Sequence, residues 1–472
     1  MLENKSVKEI ITIIHKKEVS VKEVVNYYLD RIKKYNPALN AIVSMKDEKE
    51  IIKDANQKDK NFDKSKPLFG LPLASKDLLD VVDFPTTYGF PGYKNNFPEK
   101  NSLIVDRQLN AGAIIIGKTN TAELGVGAHT ANRLFGITPN IYDSSKSSGG
   151  SSGGAGVAVA ADLLPFADGT DMMGSCRTPA AYANVYGFRP TPGLIPDYRI
   201  NYKKNYIPII STPGCLAKTP DDMSILLDEI VGKDNSDPIS FSLHGSFKDI
   251  NINDQDLANI KIGWLSDMNK KYQYDPEITE MCNKKLINLE KNKIKIENLK
   301  TKIDASKLWD CWTTLRSKSI YKDIVAMDIK DINQMTSQAI WEYNKGIKLK
   351  EEDVQFALNT RDELSQDLNK VFDNYDFLAL PSQQAFPFDK NLKNPEKINN
   401  KEMDTYHRWI EVHILASLFC LPSISIPIGF NKNGFSIGIQ IIGKHREDLK
   451  VLAFAKKYEK IFQYSKIKPA LN

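Results

Sequence analysis

Two glycine-rich segments of this chain carry serines, and a lysine lies upstream of both. The segments are residues 147–154 and 169–177, and the lysine is Lys76. Glycine lets backbone N–H groups approach a ligand closely, so a serine in such a loop can meet a cluster of donors. Acyl transfer needs a nucleophilic serine, a base that takes its proton, and amides that hold the oxyanion. We therefore predict that Lys76 is the base, Ser151 a relay and Ser175 the nucleophile.

The elements that must position these residues argue against two simpler interpretations. A Gly/Ser tract on its own is typical of a flexible linker, and an isolated lysine usually lies on the surface. Here residues 155–161 are small and apolar, and they predict a buried helix that begins near Gly153 and directs its amides at the serines. Residues 70–74 predict a buried strand that delivers Lys76 at its end.

The same residues resemble the motifs of the amidase signature family. The matching segments are residues 70–77, 149–154, 169–171, 175–177 and 179–180. A separation of 24 positions between Ser151 and Ser175 is also the family's, and it selects Ser151 rather than Ser152 as the relay. The resemblance extends over nearly the whole chain and is strongest over residues 66–195. Further matching segments are residues 86–89, 117–120, 186–191, 375–381 and 421–427.

This resemblance implies a fold, a mechanism and a set of site residues. The fold is α/β, a single large α/β/α domain whose mixed central sheet is built from central and C-terminal segments and flanked by helices. In the mechanism, Ser175 attacks an amide carbonyl and Ser151 passes its proton toward Lys76, which must be neutral at that moment. The intermediate is an acyl-enzyme, so no cofactor is expected. The other implied residues are the backbone oxyanion donors Met172, Met173 and Gly174, the supporting residues Thr170, Asp171 and Arg177, and the substrate-binding residues Gly125, Val126, Gly149 and Gly150.

Details of the second serine segment leave alternatives open. Asp171 and Arg177 brace the nucleophile loop through a charge-assisted pair or form an ordinary structural ion pair, and Thr170 is expected to hold the same turn. Met173 stands where many members have glycine, so we expect a backbone conformation that ordinary residues tolerate and a side chain that narrows or lines the pocket. Cys176 is expected to be a small buried side chain rather than a reactive thiol.

One further motif is misleading. Residues 112–119 satisfy the P-loop pattern GxxxxGK[ST], but three consecutive isoleucines occupy what should be an open phosphate-binding loop. They predict a buried strand that follows a helical pattern over residues 105–109. Nucleotide binding is therefore not expected.

Composition and charge exclude several classes of protein. A net charge of +5 over 472 residues, without a basic stripe studded with aromatic residues, gives no indication of nucleic-acid binding. No apolar run reaches the roughly 18 to 20 residues that cross a bilayer, and residues 1–5 lack the apolar core of a signal peptide, so a cytoplasmic location away from membranes is expected. Five cysteines without a CxxC pair predict free thiols. The six histidines form no HExxH or HxH pattern, so no metal site is expected.

The order of predicted elements divides the chain into two parts. Residues 1–62 predict an N-terminal helical layer with capping boxes at Ser6 and Ser20. Residues 63–472 predict the amidase signature domain, in which 66–230 form the catalytic core, 231–370 a variable and largely helical segment, and 371–472 the strands and helix that complete the core. Outside the catalytic core we expect a loop at 232–257, a helix from about 275, helical structure over 309–368, and strands at 260–265, 294–299, 377–380, 423–428 and 437–442.

The predicted function is hydrolysis of the C–N bond of a small or medium-sized, neutral carboxamide. No arginine cluster is evident near the site, and Gly125, Val126, Met172 and Met173 offer an apolar lining. The expected partner is a small-molecule amide, and a homodimer is compatible with the resemblance.

Two other functions stay open. One is the amidase subunit of a glutamine-dependent tRNA amidotransferase, although the segment expected to grip glutamine is absent around residues 356–363. The other is a non-catalytic binding protein on the same fold, against which the intact Lys76, Ser151 and Ser175 argue.

Overall fold

The computed structural model describes residues 2–3, 5–197 and 210–471. The helices are α1 (Val7–His15), α2 (Val21–Leu39), α3 (Glu48–Lys60), α4 (Leu103–Asn110), α5 (Gly153–Ala160), α6 (Arg177–Ala183), α7 (Pro220–Ile230), α8 (Asp254–Leu257), α9 (Pro276–Lys291), α10 (Ala305–Ala326), α11 (Ser337–Lys348), α12 (Glu351–Phe372), α13 (Ile414–Leu418) and α14 (Asp448–Phe462). The strands are β1 (Ile42–Val43), β2 (Pro72–Lys76), β3 (Ile114–Thr119), β4 (Ala131–Asn132), β5 (Gly136–Ile137), β6 (Phe166–Asp171), β7 (Tyr186–Arg189), β8 (Thr212–Ala217), β9 (Lys261–Trp264), β10 (Lys295–Asn298), β11 (Phe377–Pro381), β12 (Lys397–Ile398), β13 (Lys401–Glu402), β14 (Ser423–Phe430) and β15 (Ser436–Ile442).

The larger sheet is mixed and has eight strands in the order β10-β9-β11-β15-β14-β7-β8-β6. Strand β9 pairs in parallel with β10 and β11, whereas the other neighbours pair antiparallel. Helix α6 packs against β7, β14 and β15, and α14 packs against β14. The predicted α/β class, with a mixed sheet drawn from central and C-terminal segments, is confirmed.

A second, three-stranded sheet carries Lys76 and was not predicted as separate. Its order is β1-β3-β2, with β1 antiparallel and β2 parallel to β3. The backbone N–H of Lys76, at the end of β2, donates to Asp168 Oδ1 in β6 at 2.7 Å, which joins the two sheets. Residues 1–62 are accordingly not wholly helical, because β1 leaves the helical layer to extend this sheet. The boundaries proposed for the domain and its segments stay predictions.

Local sequence signals account for the helices and strands near the N-terminus. Both capping boxes form, since the Ser6 and Ser20 hydroxyls accept from the amides of Glu9 and Glu23 at 3.3 and 3.1 Å. The isoleucines of the P-loop-like motif lie in the fully buried β3, as predicted, so the motif forms no phosphate-binding loop.

The elements predicted for residues 260–442 are present with ends that shift by a few residues. Helices α10, α11 and α12 occupy the predicted helical stretch, and β9, β10, β11, β14 and β15 lie where strands were expected. The loop predicted at 232–257 ends in the single turn α8. Within the described residues, no helix combines the length and apolar character that crossing a bilayer requires.

Helix α5 packs unusually close to the smaller sheet, and Gly154 makes this approach feasible. A Cβ atom at Gly154 would lie 2.4 Å from the Asn120 backbone N and 2.6 Å from the Ala41 backbone O. Backbone atoms cannot move aside as a flexible side chain can, so no larger residue fits without separating the helix from the sheet.

We predict that Gly154→Ala lowers the free energy of unfolding by about 2 kcal/mol, because the added methyl group overpacks this contact. The measurement is the urea midpoint followed by circular dichroism. Gly156→Ala is the matched control, since its Cβ would lie 3.2 Å from the nearest atom, Pro179 O, in the same helix. Equal loss of stability in the two variants would contradict the prediction.

Candidate active site

The side chain of Lys76 lies at the end of β2, fully buried and surrounded by hydroxyl groups. Its Nζ donates to Ser151 Oγ and Ser152 Oγ, both at 2.8 Å, and to Thr170 Oγ1 at 2.9 Å. Burial lowers the pKa of Lys76 to about 8, and Cys176, Asp171 and Asp168 oppose this shift only in part. A lysine with this pKa loses its proton at mildly basic pH and can then accept one.

The serine pair comes directly before α5, after a cis peptide bond between Gly150 and Ser151. The first amide of the helix, from Gly153, donates to Thr130 Oγ1 at 2.8 Å. Helix α5 begins at the predicted residue, but its first amide is not directed at the serines. The hydroxyl groups of Ser151 and Ser152 instead accept hydrogen bonds from Lys76 Nζ.

The loop that follows β6 carries Ser175 and is organised by Asp171. Its Oδ1 accepts from Arg177 Nη2 and from the Gly174 amide, each at 2.9 Å. Its Oδ2 accepts from Arg177 Nε at 3.1 Å and from the Cys176 amide at 3.2 Å. Burial alone would raise the pKa of Asp171, but Arg177 and Arg189 hold it below its ordinary value, so the carboxylate is charged.

The sharp turn before Ser175 requires glycine at position 174. Gly174 has a φ of +85°, and a Cβ there would lie 2.2 Å from the ring of His413. Met173 has no positive φ, so its backbone adopts a conformation that ordinary residues tolerate, as expected. The side chain of Met173 is buried in the main core and is not part of the cavity beside Ser175.

Backbone amides of this loop are candidates to stabilise an oxyanion. The Gly174 amide is engaged by Asp171, contrary to the expectation that it is an available donor. Within the described chain, the amides of Met172, Met173 and Ser175 have no hydrogen-bond acceptor. These three N–H groups are therefore the ones free to receive negative charge that develops on a carbonyl oxygen.

A cavity of about 470 Å³ opens beside the two predicted catalytic serines. Ser151, Thr170 and Ser175 lie in its wall, as do Gly125 and Val126, whose binding of substrate stays a prediction. The apolar lining residues include Leu78, Leu124, Met172, Ile195, Ile320 and Ile324. The polar lining residues include Asp197, which lies outside α10, and Arg316, Ser319 and Asp323 of α10, so the cavity wall combines apolar and polar side chains.

Two sequence predictions differ from the structure, whereas Cys176 is the small buried side chain that was expected. Gly149 and Gly150 are not among the described residues that line the cavity, because they pack against Tyr182 and the His129 backbone, where added Cβ atoms would lie 3.2 and 2.7 Å away. Thr170 contacts Lys76 rather than holding the nucleophile turn. The buried Cys176 thiol has its pKa raised by burial, as suits a small core side chain.

Sequence analysis did not identify several residues near the site. Ser152, which the motif spacing did not select as the relay, contacts Lys76 as closely as Ser151 does. His413 accepts or donates a hydrogen bond of 2.9 Å with Thr178 Oγ1, and burial lowers its pKa to about 3. Arg316 lines the cavity from α10, and no spacing pattern pointed to it. Among the described residues, no group of three or more His, Cys, Asp or Glu side chains is placed to hold a metal ion.

Comparison with known protein families decides the chain's classification. The family model described as Amidase matches residues 23–452, which is most of the 472 residues. The chain belongs to the amidase signature family. Enzymes of this family hydrolyse amide C–N bonds, so the alternative of a non-catalytic binding protein is set aside.

Relatives of this amidase include hydrolases and transferase subunits. It is 28% identical to an acylamidase of Rhodococcus erythropolis over 478 aligned residues, covering 98% of this chain and 97% of the relative. It is also 28% identical to a glutamyl-tRNA(Gln) amidotransferase subunit of Caldanaerobacter subterraneus subsp. tengcongensis, with 97% and 96% covered. The structure superposes on a bacterial aryl acylamidase of the amidase signature family with a TM-score of 0.88, 25% identity, and 98% and 97% coverage.

We predict that Ser151→Ala lowers kcat by about 10²-fold or more, whereas Ser152→Ala lowers it by less than about tenfold. Both hydroxyls contact Lys76, but only that of Ser151 lies in the cavity wall with Ser175. Steady-state kinetics of the two variants on one amide test this. Equal losses, or a larger loss in Ser152→Ala, would show that the relay is assigned to the wrong serine.

The pH dependence of kcat/KM should report the ionisation of Lys76. Because the neutral amine accepts the proton, activity should rise with pH through about 8, where Lys76 loses its proton, and then level off. The profile is measured with a neutral substrate that does not titrate, while circular dichroism checks that the fold is intact. A profile that is flat or falls across this interval would exclude Lys76 as the base.

Proposed function

We propose that this amidase hydrolyses a small or medium-sized neutral carboxamide through an acyl-enzyme on Ser175, with Ser151 as relay and Lys76 as base. The observation that carries the proposal is the 2.8 Å hydrogen bond from Lys76 Nζ to Ser151 Oγ, at the wall of the cavity that Ser175 also lines. A buried base, a bridging hydroxyl and a hydroxyl open to ligand are the parts that serine acylation needs.

In acylation, Ser175 Oγ bonds to the carbonyl carbon while its proton passes to Ser151 and the Ser151 proton passes to neutral Lys76. The carbonyl π electrons move onto oxygen, and the resulting oxyanion meets the amides of Met172, Met173 and Ser175. When the intermediate collapses, the C–N bond breaks and the proton returns through Ser151 to the departing nitrogen. The products of this step are a free amine and an ester on Ser175.

Deacylation repeats these transfers with water in place of Ser175. Water loses a proton through Ser151 to Lys76 as its oxygen bonds to the ester carbon, and the oxyanion uses the same amides. Collapse breaks the ester bond, and the proton goes back to Ser175 Oγ. The enzyme ends in its starting state and releases a carboxylic acid.

The charges of the described cavity wall argue against an anionic substrate. The only arginine among the described lining residues is Arg316, and its guanidinium lies 2.8 Å from the Glu342 carboxylate, so the two charges cancel. About half of the lining residues have apolar side chains, which suit an aliphatic or aromatic group. Among the described lining residues, an anionic substrate would meet this neutralised arginine and the carboxylates of Asp197 and Asp323.

A second candidate function is that of the amidase component of a glutamyl-tRNA(Gln) amidotransferase, which the curated relatives favour. The residues around 356–363, where a glutamine-gripping segment was expected, lie in α12, and none of the described lining residues comes from that helix. Affinity purification of the tagged chain from its own cells distinguishes the two candidates, since a component of such a complex would bring its partner chains with it.

We predict that Ser175→Ala lowers kcat/KM for an anilide by about 10⁴-fold or more, because no other hydroxyl is in register with the oxyanion amides. A fluorophosphonate probe should label Ser175 of the wild type, as located by peptide mass spectrometry. Ser145→Ala is the control, since this exposed serine donates to Asp143 away from the cavity. Near-normal turnover by Ser175→Ala, or labelling of another residue, would refute the assignment.

A further inference from the structure

The α10 wall of the cavity, which also carries Ile320 and Ile324, contains a buried arginine. Arg316 lies in the middle of α10 and is only 4% exposed, yet it lines the same cavity as Ser151 and Ser175. Its guanidinium approaches the nucleophile loop, since Nη1 lies 3.0 Å from Met172 Sδ. Arg316 is therefore placed to contact a molecule bound against Ser175.

The hydrogen bonds of this guanidinium leave one nitrogen poorly satisfied. Nε donates to Glu342 Oε1 at 2.8 Å, and Nη2 donates to the Tyr406 hydroxyl at 2.9 Å. Within the described chain, the acceptor of Nη1 is the Met172 sulfur, and a thioether is a weak acceptor. A buried charged donor without an oxygen acceptor is costly, so a ligand oxygen at this position would bind favourably.

The charge of Arg316 is already compensated. Glu342 is fully buried and also accepts from the hydroxyls of Ser317 and Tyr406, both at 2.5 Å. A substrate carboxylate at Nη1 would place a second anion beside this pair and would lose its hydration in the cavity. A neutral carbonyl oxygen satisfies Nη1 without adding a charge, so the pair favours the neutral ligand.

We infer that Arg316 is a specificity-determining residue whose Nη1 binds a second, uncharged carbonyl oxygen of the substrate, distinct from the carbonyl that Ser175 attacks. The substrates preferred by this enzyme are then bifunctional: an amide that carries a further carboxamide or similar neutral carbonyl group. This inference rests on the proposed function and specifies its substrate class. Glu342 has a separate role in specificity, because its negative charge makes the Arg316 site select a neutral group over an anion.

Glu342→Gln provides the test of this charge balance. Glutamine has the size of glutamate and still accepts from Arg316 Nε, but it leaves the guanidinium charge uncompensated. Glu411→Gln is the matched control, because Glu411 is also buried and paired with an arginine, Arg408, at 3.0 Å, but neither is among the described residues that line the cavity.

The substrates are two matched sets. In the first, p-nitroanilides of equal chain length have acyl chains that end in a carboxamide, a carboxylate or an isopropyl group. In the second, acetanilides carry the same three groups on the ring, so that the second carbonyl lies on the amine side. The measurement is kcat/KM for each compound with the wild type and the variants, read by released aniline.

In at least one set, the wild type should favour the carboxamide over the isopropyl and carboxylate compounds by about tenfold or more. In Glu342→Gln, the ratio of kcat/KM for the carboxylate compound to kcat/KM for the carboxamide compound should rise by about tenfold or more. The reason is that hydrogen bonds between charged groups are stronger than those between a charged and a neutral group. Glu411→Gln should leave this ratio within about twofold of the wild type.

A double variant, Arg316→Met with Glu342→Gln, removes both charges and the donor, and it should hydrolyse carboxamide and isopropyl compounds equally well. If fluorophosphonate labelling shows that Glu342→Gln does not fold, the double variant is assayed in place of that single variant. No carboxamide preference in either set, or an unchanged carboxylate ratio in a folded Glu342→Gln, would overturn the role of Arg316. Failure of the wild type to hydrolyse any compound, together with no labelling of Ser175, would instead refute the proposed function.

Discussion

A single buried carboxylate holds the loop that carries Ser175. Asp171 accepts from Arg177 and from the amides of Gly174 and Cys176, so both sides of the turn are tied to one residue. A charge in a protein interior is stable only when partners surround it, and here the partners are the guanidinium groups of α6 and β7. The shape of the loop, and with it the position of the free amides, depends on this network.

Burial affects two neighbouring charged groups in opposite ways because their partners differ. Asp171 faces two guanidinium groups and remains ionised, whereas Lys76 faces three neutral hydroxyl groups and its pKa falls to about 8. The same loss of hydration thus leaves Asp171 charged, and it lets the neighbouring Lys76 release its proton at mildly basic pH. The neighbours of each group, more than its depth, determine what it does.

Sequence patterns predicted the elements that carry the proposed triad because short-range signals determine them. The strand that ends at Lys76 and the helix that begins at Gly153 follow from local hydrophobicity and glycine placement. Arg316 was not predicted, since it lies within the 22 residues of α10 and faces the cavity only because of tertiary packing. Gly149 and Gly150 are absent from the described cavity wall for the same reason, because the segments they pack against are brought to them by tertiary packing.

The partners of Arg177 lie far along the chain, which bears on when the enzyme becomes reactive. Arg177 donates to Ser417 and Gln440, which follow it by 240 and 263 positions. A nascent chain therefore leaves the ribosome with Lys76 and both serines long before the strand that contains Gln440 has been translated. The Ser175 loop lacks part of its support during that time, so the geometry on which the proposed acylation depends is complete only after the C-terminal strands have been added.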